Sequence, residues 1–313
     1  MENVSRSFKL LVLATALATV GLIVFGAVVR VTDSGLGCGD SWPLCDGTII
    51  PPLDNLTAWI EWLHRLFAAL IGAMGLVSLG MAMRSYRQNR FVFGMLVTAA
   101  LLFFFQSALG AFVVILELPP TMVALHLGTA MLLLAALLAA YVGTVYKPQR
   151  VRVADQVTML AYTTAALSLV IILTGALVRG SGATLACVDW PLCNGDIFPF
   201  NQGTLAVIHM IHRVAVLALG VALVLLVWQV YANRQQVAMR RVAVLALVTY
   251  LAQAGVGALF VLTSASPLWG AAHVGFAAGT WAFLVVLSAM EYVNSRELVS
   301  EGVWNPQSEI ASN

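Results

Sequence analysis

The chain has 313 residues, of which 61% are hydrophobic and only 10% are charged. This composition excludes an ordinary soluble domain and is typical of a protein that crosses a membrane many times. The formal net charge of +2 gives no indication of a nucleic-acid-binding surface.

Eight apolar segments follow one another along the chain, and each has the length of about 20 residues that a membrane-spanning helix needs. They cover residues 8–30, 58–83, 91–115, 121–145, 156–179, 204–231, 239–262 and 267–291. The first segment is too long and too lightly flanked by charge for a cleaved signal peptide, so we predict that it stays in the fold. The predicted fold class is an all-α polytopic membrane protein with eight transmembrane helices.

The second half of the chain repeats the first. The matched motifs, first half and then second, are Gly26-Ala-Val-Val-Arg30 with Gly175-Ala-Leu-Val-Arg179, Trp42-Pro-Leu-Cys45 with Trp190-Pro-Leu-Cys193, Leu63-His64-Arg65 with Ile211-His212-Arg213, and Gln106-x-x-x-Gly110 with Gln253-x-x-x-Gly257. Because eight segments divide evenly between two repeats, we predict two pseudo-symmetric four-helix bundles, residues 1–150 and 151–313. A short polar tail ends the second unit.

The basic residues predict the orientation of the helices, since Lys and Arg concentrate in cytoplasmic loops. Of the 16 Lys and Arg residues, all but four lie before the first helix, in alternate loops or in the tail. Both termini are therefore expected in the cytoplasm. The long connections, at about 31–57 and 180–203, are expected on the extracytoplasmic side.

All four cysteines lie in those two long connections, as Cys38 and Cys45 in the first and Cys187 and Cys193 in the second. In an oxidising compartment such pairs usually form disulfides. Two interpretations stay open, a structural cross-link or a redox-active pair, because short exposed disulfides are often the labile ones. A zinc site is disfavoured because neither connection contains a histidine.

Four of the five histidines fall into matched pairs, His64 with His126 and His212 with His273, each inside an apolar segment. His64 and His126 both lie about 9 Å below the outer membrane surface if each residue adds 1.5 Å. Two imidazoles at one level of a helix bundle can ligate a haem iron from both faces. The alternative for any single histidine is a hydrogen bond between helices. The duplicated pairs favour one bis-histidine haem site in each half.

Two further sets of repeated residues lie close to the histidines. The arginines could bind haem propionates at the membrane interface, or extend towards lipid headgroups instead; they are Arg30, Arg65, Arg179 and Arg213. The glycines allow a macrocycle or a neighbouring helix to approach closely; they are Gly26, Gly110, Gly175 and Gly257.

Glu61 breaks the symmetry between the halves. It stands three residues before His64 and so on the same helix face, whereas the residue three before His212 is His209. A carboxylate below the membrane surface is energetically costly and is a candidate for function. We therefore expect acid/base chemistry in the first half and an electron-transfer cofactor in the second, with His209 either an ordinary interfacial residue or a modifier of the second haem.

With these residues assembled, the chain resembles the haem A synthase family over about residues 10–290. The resemblance rests on Glu61-Trp-Leu-His64-Arg65, Ala124-Leu-His126-Leu-Gly128, His212-Arg213, Ala272-His273 and the two cysteine loops that end in Trp-Pro-Leu-Cys. It implies an oxidoreductase that converts the C8 methyl of haem O to a formyl group by successive hydroxylations, giving haem A.

By the same resemblance, His212 and His273 hold a resident b-type haem, while His64 and His126 bind the iron of the substrate haem O. Glu61 is then the catalytic group near the methyl, and the Cys38–Cys45 pair is a candidate for exchanging electrons, although the resemblance does not decide between this role and a structural one. The implied setting is the cell membrane, with the haem sites towards the extracytoplasmic side. The implied partners are the haem O synthase, cytochrome oxidase assembly factors, membrane lipid and, in a homo-oligomer, a second copy of the chain.

Two other functions use the same residues. A di-haem b-type electron carrier acting on quinone would need the same four histidines, but both predicted haems lie near one membrane face and Glu61 would have no purpose. A thiol-oxidising membrane protein would use the loop cysteines, and the duplicated intramembrane histidines argue against it.

Overall fold

The computed structural model describes residues 5–147 and 153–300, with side chains to residue 295. Within these residues eight α-helices follow in order: α1 Arg6–Val31, α2 Leu56–Ser85, α3 Arg90–Ile115, α4 Pro120–Val145, α5 Gln156–Gly180, α6 Thr204–Asn233, α7 Val237–Leu262 and α8 Pro267–Ser300. All eight are long and apolar enough to cross a membrane. The prediction of a polytopic all-α membrane protein is confirmed.

Four of the helices begin at a residue whose side chain caps the first turn. Ser5, Asn55 and Asn89 accept hydrogen bonds from the first-turn amides of α1, α2 and α3, and Asp155 caps α5 in the same way. Pro120 opens α4, where its missing N–H leaves no bond unmade. The predicted segments match the observed helices to within a few residues, except that α8 continues to Ser300, beyond the predicted end at 291.

Four helices form the centre of the molecule. Helices α4 and α8 contact each other, and each of them contacts both α1 and α5; α2 and α3 pack outside α1 and α4, and α6 and α7 pack outside α5 and α8. One continuous apolar core runs through both halves, and Trp281 on α8 donates a hydrogen bond to the carbonyl of Met131 on α4 (2.8 Å). The pseudo-symmetry of the two predicted bundles, and their division near residue 150, stay predictions.

The two long connections, residues 32–55 and 181–203, lie at one end of the helices, which we call the loop end. At the opposite end a buried ionic cluster joins α5, α6 and α8. Arg234, only 2% exposed, donates to both carboxylate oxygens of Glu291 (2.7 and 2.9 Å) and of Asp155 (2.9 and 2.7 Å). The hydrogen bonds from Arg234 hold the pKa of the Asp155 carboxyl well below its usual range.

Candidate functional site

The four paired histidines lie towards the loop end, each against a glycine of the preceding helix. A methyl group added at Gly26 would stand 3.1 Å from His64 Nε2, and one at Gly110 would stand 3.1 Å from His126 Cε1. The second half repeats these contacts: Gly175 faces His212 at 3.1 Å and Gly257 faces His273 at 2.9 Å. The repeated glycines therefore leave the space that each imidazole occupies.

His64 and His126 lie on α2 and α4 of the first half, and His212 and His273 lie on α6 and α8 of the second. His64 lies within electrostatic range of His126, and His212 lies within range of His273. Among the described residues, no group of three or more His, Cys, Asp or Glu side chains is placed to hold a metal ion. The arrangement is thus two separate pairs of imidazoles.

In the second half, both imidazoles are held in the tautomer that an iron ligand requires. His273 Nδ1 lies 3.0 Å from the carbonyl oxygen of Gln253, so this nitrogen must carry the proton. His212 Nδ1 lies 2.9 Å from Thr174 Oγ1, whose own proton goes to the carbonyl of Ile171 (2.8 Å), so His212 also donates from Nδ1. Both Nε2 atoms therefore keep a free lone pair, which suits haem ligation.

The first half holds its imidazoles less firmly. His126 Nδ1 is buried and lies near the backbone carbonyl of Gln106, the counterpart of Gln253, without a hydrogen bond of good geometry. The ring of His64 lies beside Phe25, with centroids 6.0 Å apart. Phe25 and Thr174 occupy equivalent positions, one residue before the repeated glycine, so an apolar contact replaces the Thr174 hydrogen bond. Sequence reasoning overlooked both residues, although their position beside the glycines was a usable signal.

Glu61 is buried, with 4% of its surface exposed, and both of its oxygens are engaged. One oxygen forms an ion pair with Arg65, one turn further along α2. The other accepts a hydrogen bond from the backbone N–H of Cys38 (2.9 Å). The carboxylate is therefore fixed between its own helix and the first cysteine loop, on the same helix as His64.

Both cysteine pairs are disulfides in the structure. Cys38 is bonded to Cys45 and Cys187 to Cys193, each within its own connection. The four cysteines are buried, the first pair against Ala58 at the start of α2 and the second against Ala206 at the start of α6. Each disulfide thus sits directly on the helix that carries a histidine of its half.

Two of the four arginines proposed as propionate ligands, Arg65 and Arg213, bind the backbone of the cysteine loops. Arg65 donates to the carbonyls of Ser41 (3.2 Å) and Leu44 (3.0 Å). Arg213 donates to the carbonyl of Cys187 (3.3 Å) and also bonds that of Leu192. Both guanidinium groups therefore bind the loop backbone to the helix, a contact that the sequence did not predict.

The other two candidates meet at the centre of the loop end. Arg30 on α1 and Arg179 on α5 both approach the Asp33 carboxylate, at 3.7 and 3.8 Å. Their side chains are 34% and 39% exposed, and Arg179 Nε is buried without a partner. One exposed carboxylate thus faces two cations, which leaves hydrogen-bonding capacity for another anionic group.

His209 occupies the place in the second half that Glu61 has in the first. It is 5% exposed, and its Nε2 lies 3.4 Å from Arg213, the counterpart of Arg65. Its Nδ1 is buried without a hydrogen bond of good geometry. The second half therefore has no carboxylate at this position.

The donor set has the chemistry that two haem groups require. Each half supplies two half-buried imidazoles, glycines beside the rings and arginines nearer the loops. These are features that axial ligation, close approach and propionate binding require. Residues 9–285 match the model of a family described as cytochrome oxidase assembly protein, COX15-CtaA.

Several curated relatives named Heme A synthase align with most of the chain. The protein of Symbiobacterium thermophilum is 33% identical over 310 residues, covering 94% of this chain and 99% of the relative. That of Halalkalibacterium halodurans is 34% identical over 263 residues, covering 82% and 88%. That of Geobacillus thermodenitrificans is 33% identical over 306 residues, covering 90% and 92%. The chain therefore belongs to the COX15-CtaA family of cytochrome oxidase assembly proteins, among relatives named Heme A synthase.

Proposed function

We propose that this protein is a haem A synthase, an oxidoreductase that converts the C8 methyl of haem O to a formyl group by successive hydroxylations. One observation carries the proposal. Two halves with matched histidine pairs differ at the position one turn before the first histidine, where Glu61 has a buried carboxylate and His209 an imidazole. Such a difference suits a pair of sites of which one performs proton chemistry and the other does not.

The second half is the proposed site of a resident haem b, with His212 and His273 as its axial ligands. When bound, haem b supplies a redox centre that accepts the electrons removed from the substrate methyl. The protein fixes both imidazoles with Nδ1 bonded and Nε2 free. Preorganised ligands of this kind favour a permanently held group, because little ordering remains to be done when it binds.

The first half is the proposed site of haem O, with His64 and His126 as ligands to its iron. A histidine on each face disfavours the binding of oxygen at that iron. His64 faces Phe25 where His212 faces the Thr174 hydroxyl, and this looser hold suits a group that must enter and leave.

Glu61 is the proposed catalytic group. Oxidation of a methyl group develops positive charge on its carbon and releases protons. A fixed carboxylate can stabilise that charge and accept a proton. Arg65 and the Cys38 N–H hold Glu61 in place, so its orientation depends on the first disulfide loop.

Arg30 and Arg179 are the better proposed ligands for haem propionates, because they share only one exposed carboxylate. Arg65 and Arg213 act first as anchors for the loops. They could bind propionates only in addition to, or in exchange for, loop carbonyls.

The distribution of basic residues supports a place in the cell membrane with both termini in the cytoplasm and the loop end outside. Haem O would then come from a haem O synthase in the same membrane, and the product would pass to cytochrome oxidase assembly.

Pigment analysis of the purified protein tests the proposed function. The protein is expressed in cells that also make haem O, and the haems are extracted and separated by chromatography. Haem A or a hydroxylated haem O beside haem B is the expected result. Haem B alone, at two per chain, would instead identify a di-haem electron carrier.

A further inference from the structure

The first four helices enclose an apolar cleft on the side of the histidines that faces away from the loop end. Its closed part is small, about 20 Å³, so the cleft is mainly a groove that opens at the protein surface, and residues of all four helices line it, among them Thr15, Gly75, Phe103 and Leu137. The hydroxyl of Thr15 is bonded to the carbonyl of Leu11 (2.8 Å), so it offers no free donor to the cleft. The lining therefore suits a hydrocarbon chain.

The cleft lies directly beneath the proposed substrate site. Gly75 follows His64 by eleven residues, and Leu137 follows His126 by eleven. Eleven residues make three turns, so each lining residue shares a helix face with its histidine and lies about 16 Å deeper. A chain attached to a porphyrin between the two histidines could extend along this face into the cleft.

The cleft also reaches the surface of the protein between α2 and α3. Leu76, one of its lining residues, is 47% exposed. An added side chain at Gly75 would meet nothing within 4 Å, whereas at Gly72, one turn earlier, it would collide with the ring of Phe103. Gly75 is thus the place where a missing side chain leaves the cleft open.

The second half fills the equivalent space. The repeat aligns Gly75 with Leu223, which is completely buried, and Phe103 with Tyr250, which is 7% exposed and donates a hydrogen bond to the carbonyl of Val216 (2.8 Å). A leucine side chain thus stands where the first half has no side chain. The two halves differ in available space as well as in the residue at the Glu61 position.

We propose that this cleft receives the hydroxyethylfarnesyl chain of haem O. The difference between Gly75 in the first half and Leu223 in the second would then determine which haem each half binds. The inference rests on the proposed function. Haem O carries the long apolar chain and haem B does not. The first half, with its open cleft, therefore accepts haem O, and the second half, where the equivalent space is filled, accepts haem B. Burial of the chain adds apolar contact that the macrocycle alone cannot make.

The substitution Gly75→Leu, which installs the residue of the second half, tests the proposal. Purified proteins are titrated with haem O and, separately, with haem B, and binding is followed by absorbance. The matched control is Gly80→Leu on the same helix, an exposed position outside the cleft where an added side chain also meets nothing within 4 Å. If both variants keep the spectrum of the resident haem, their fold is intact. A third variant, Gly75→Ala, makes a smaller change at the same site.

We expect the original protein and Gly80→Leu to bind haem O more tightly than haem B at the first site. In Gly75→Leu, haem O should bind about tenfold or more weakly while haem B binding is unchanged, with Gly75→Ala intermediate. Unchanged haem O binding in Gly75→Leu would overturn the proposal and point to a lipid chain as the occupant of the cleft. An equal loss for both haems would also overturn it. Selective binding of haem O without formation of haem A would contradict the proposed function and leave the cleft assignment standing.

Discussion

Replacing Glu61 with glutamine exchanges one carboxylate oxygen for an NH₂ group at a place where both oxygens accept hydrogen bonds. Arg65 donates to one oxygen and the Cys38 N–H donates to the other at 2.9 Å. In either orientation of the amide, one of these donors faces an N–H group. The substitution therefore removes the negative charge and breaks one buried hydrogen bond, while the side chain keeps almost the same volume.

Two magnitudes follow from this geometry. A hydrogen bond to a charged group contributes about 1.5–3 kcal/mol, so the free energy of unfolding should fall by an amount in that range. General acid–base catalysis contributes about 10²–10⁴-fold to a rate. We therefore expect Glu61→Gln to lower haem A formation by about 100-fold or more, with haem O or an early hydroxylated product accumulating and both haem sites still able to bind. Glu61→Asp should retain part of the activity.

The assay combines extraction and chromatography of the haems with thermal unfolding of the purified protein. His209→Gln changes the equivalent position of the second half and should leave haem A formation much less affected. Ser41→Ala removes a hydroxyl that bonds within the first loop but keeps the carboxylate, so it reports the effect of loosening the loop. Normal haem A formation by Glu61→Gln would refute the catalytic role. A comparable loss in Ser41→Ala would assign the effect to loop packing.

Three further predictions concern other parts of the molecule. His212→Ala should abolish the resident low-spin b-type spectrum, whereas His64→Ala should keep that spectrum and abolish haem A formation; a full b-type spectrum in the first variant would contradict the assignment. If the Cys38–Cys45 pair is redox-active, replacing both cysteines by alanine should reduce turnover far more than thermal stability. If the pair is structural, the same replacement should mainly reduce thermal stability. Measuring turnover and thermal unfolding on the same variant distinguishes the two roles. The pKa of the Asp155 carboxyl is lowered in the folded protein, so this group stabilises the fold above its unfolded pKa of about 3.9, and that stability is lost as the pH falls below this value. The melting temperature of Asp155→Asn should therefore be lower than that of the original protein at neutral pH and should fall less on acidification. An equal acid-induced fall in both proteins would contradict this prediction.

The helices and the histidine pairs could be predicted from the sequence because both depend on local or repeated patterns. Apolar segments of bilayer length define the eight helices, and capping residues such as Asn55 and Asp155 mark where they begin. The repeat alone indicated that His64 belongs with His126. It also showed that Glu61 has no carboxylate counterpart, since a comparison of aligned positions requires no coordinates.

Tertiary structure alone decided which groups meet across the helices. The sequence made Arg65 a candidate ligand for a haem propionate. In the structure, backbone carbonyls of the first loop accept hydrogen bonds from its guanidinium group instead. Arg234 reads as an ordinary basic residue near a helix end, yet it is buried between carboxylates that lie 79 and 57 residues away along the chain. The cleft at Gly75 is a space, and its existence depends on how closely four helices pack around a missing side chain. Hydropathy and repeat patterns constrain each helix separately, whereas hydrogen bonds between loops and helices, buried ion pairs and empty volumes depend on distances that only the packed helices determine.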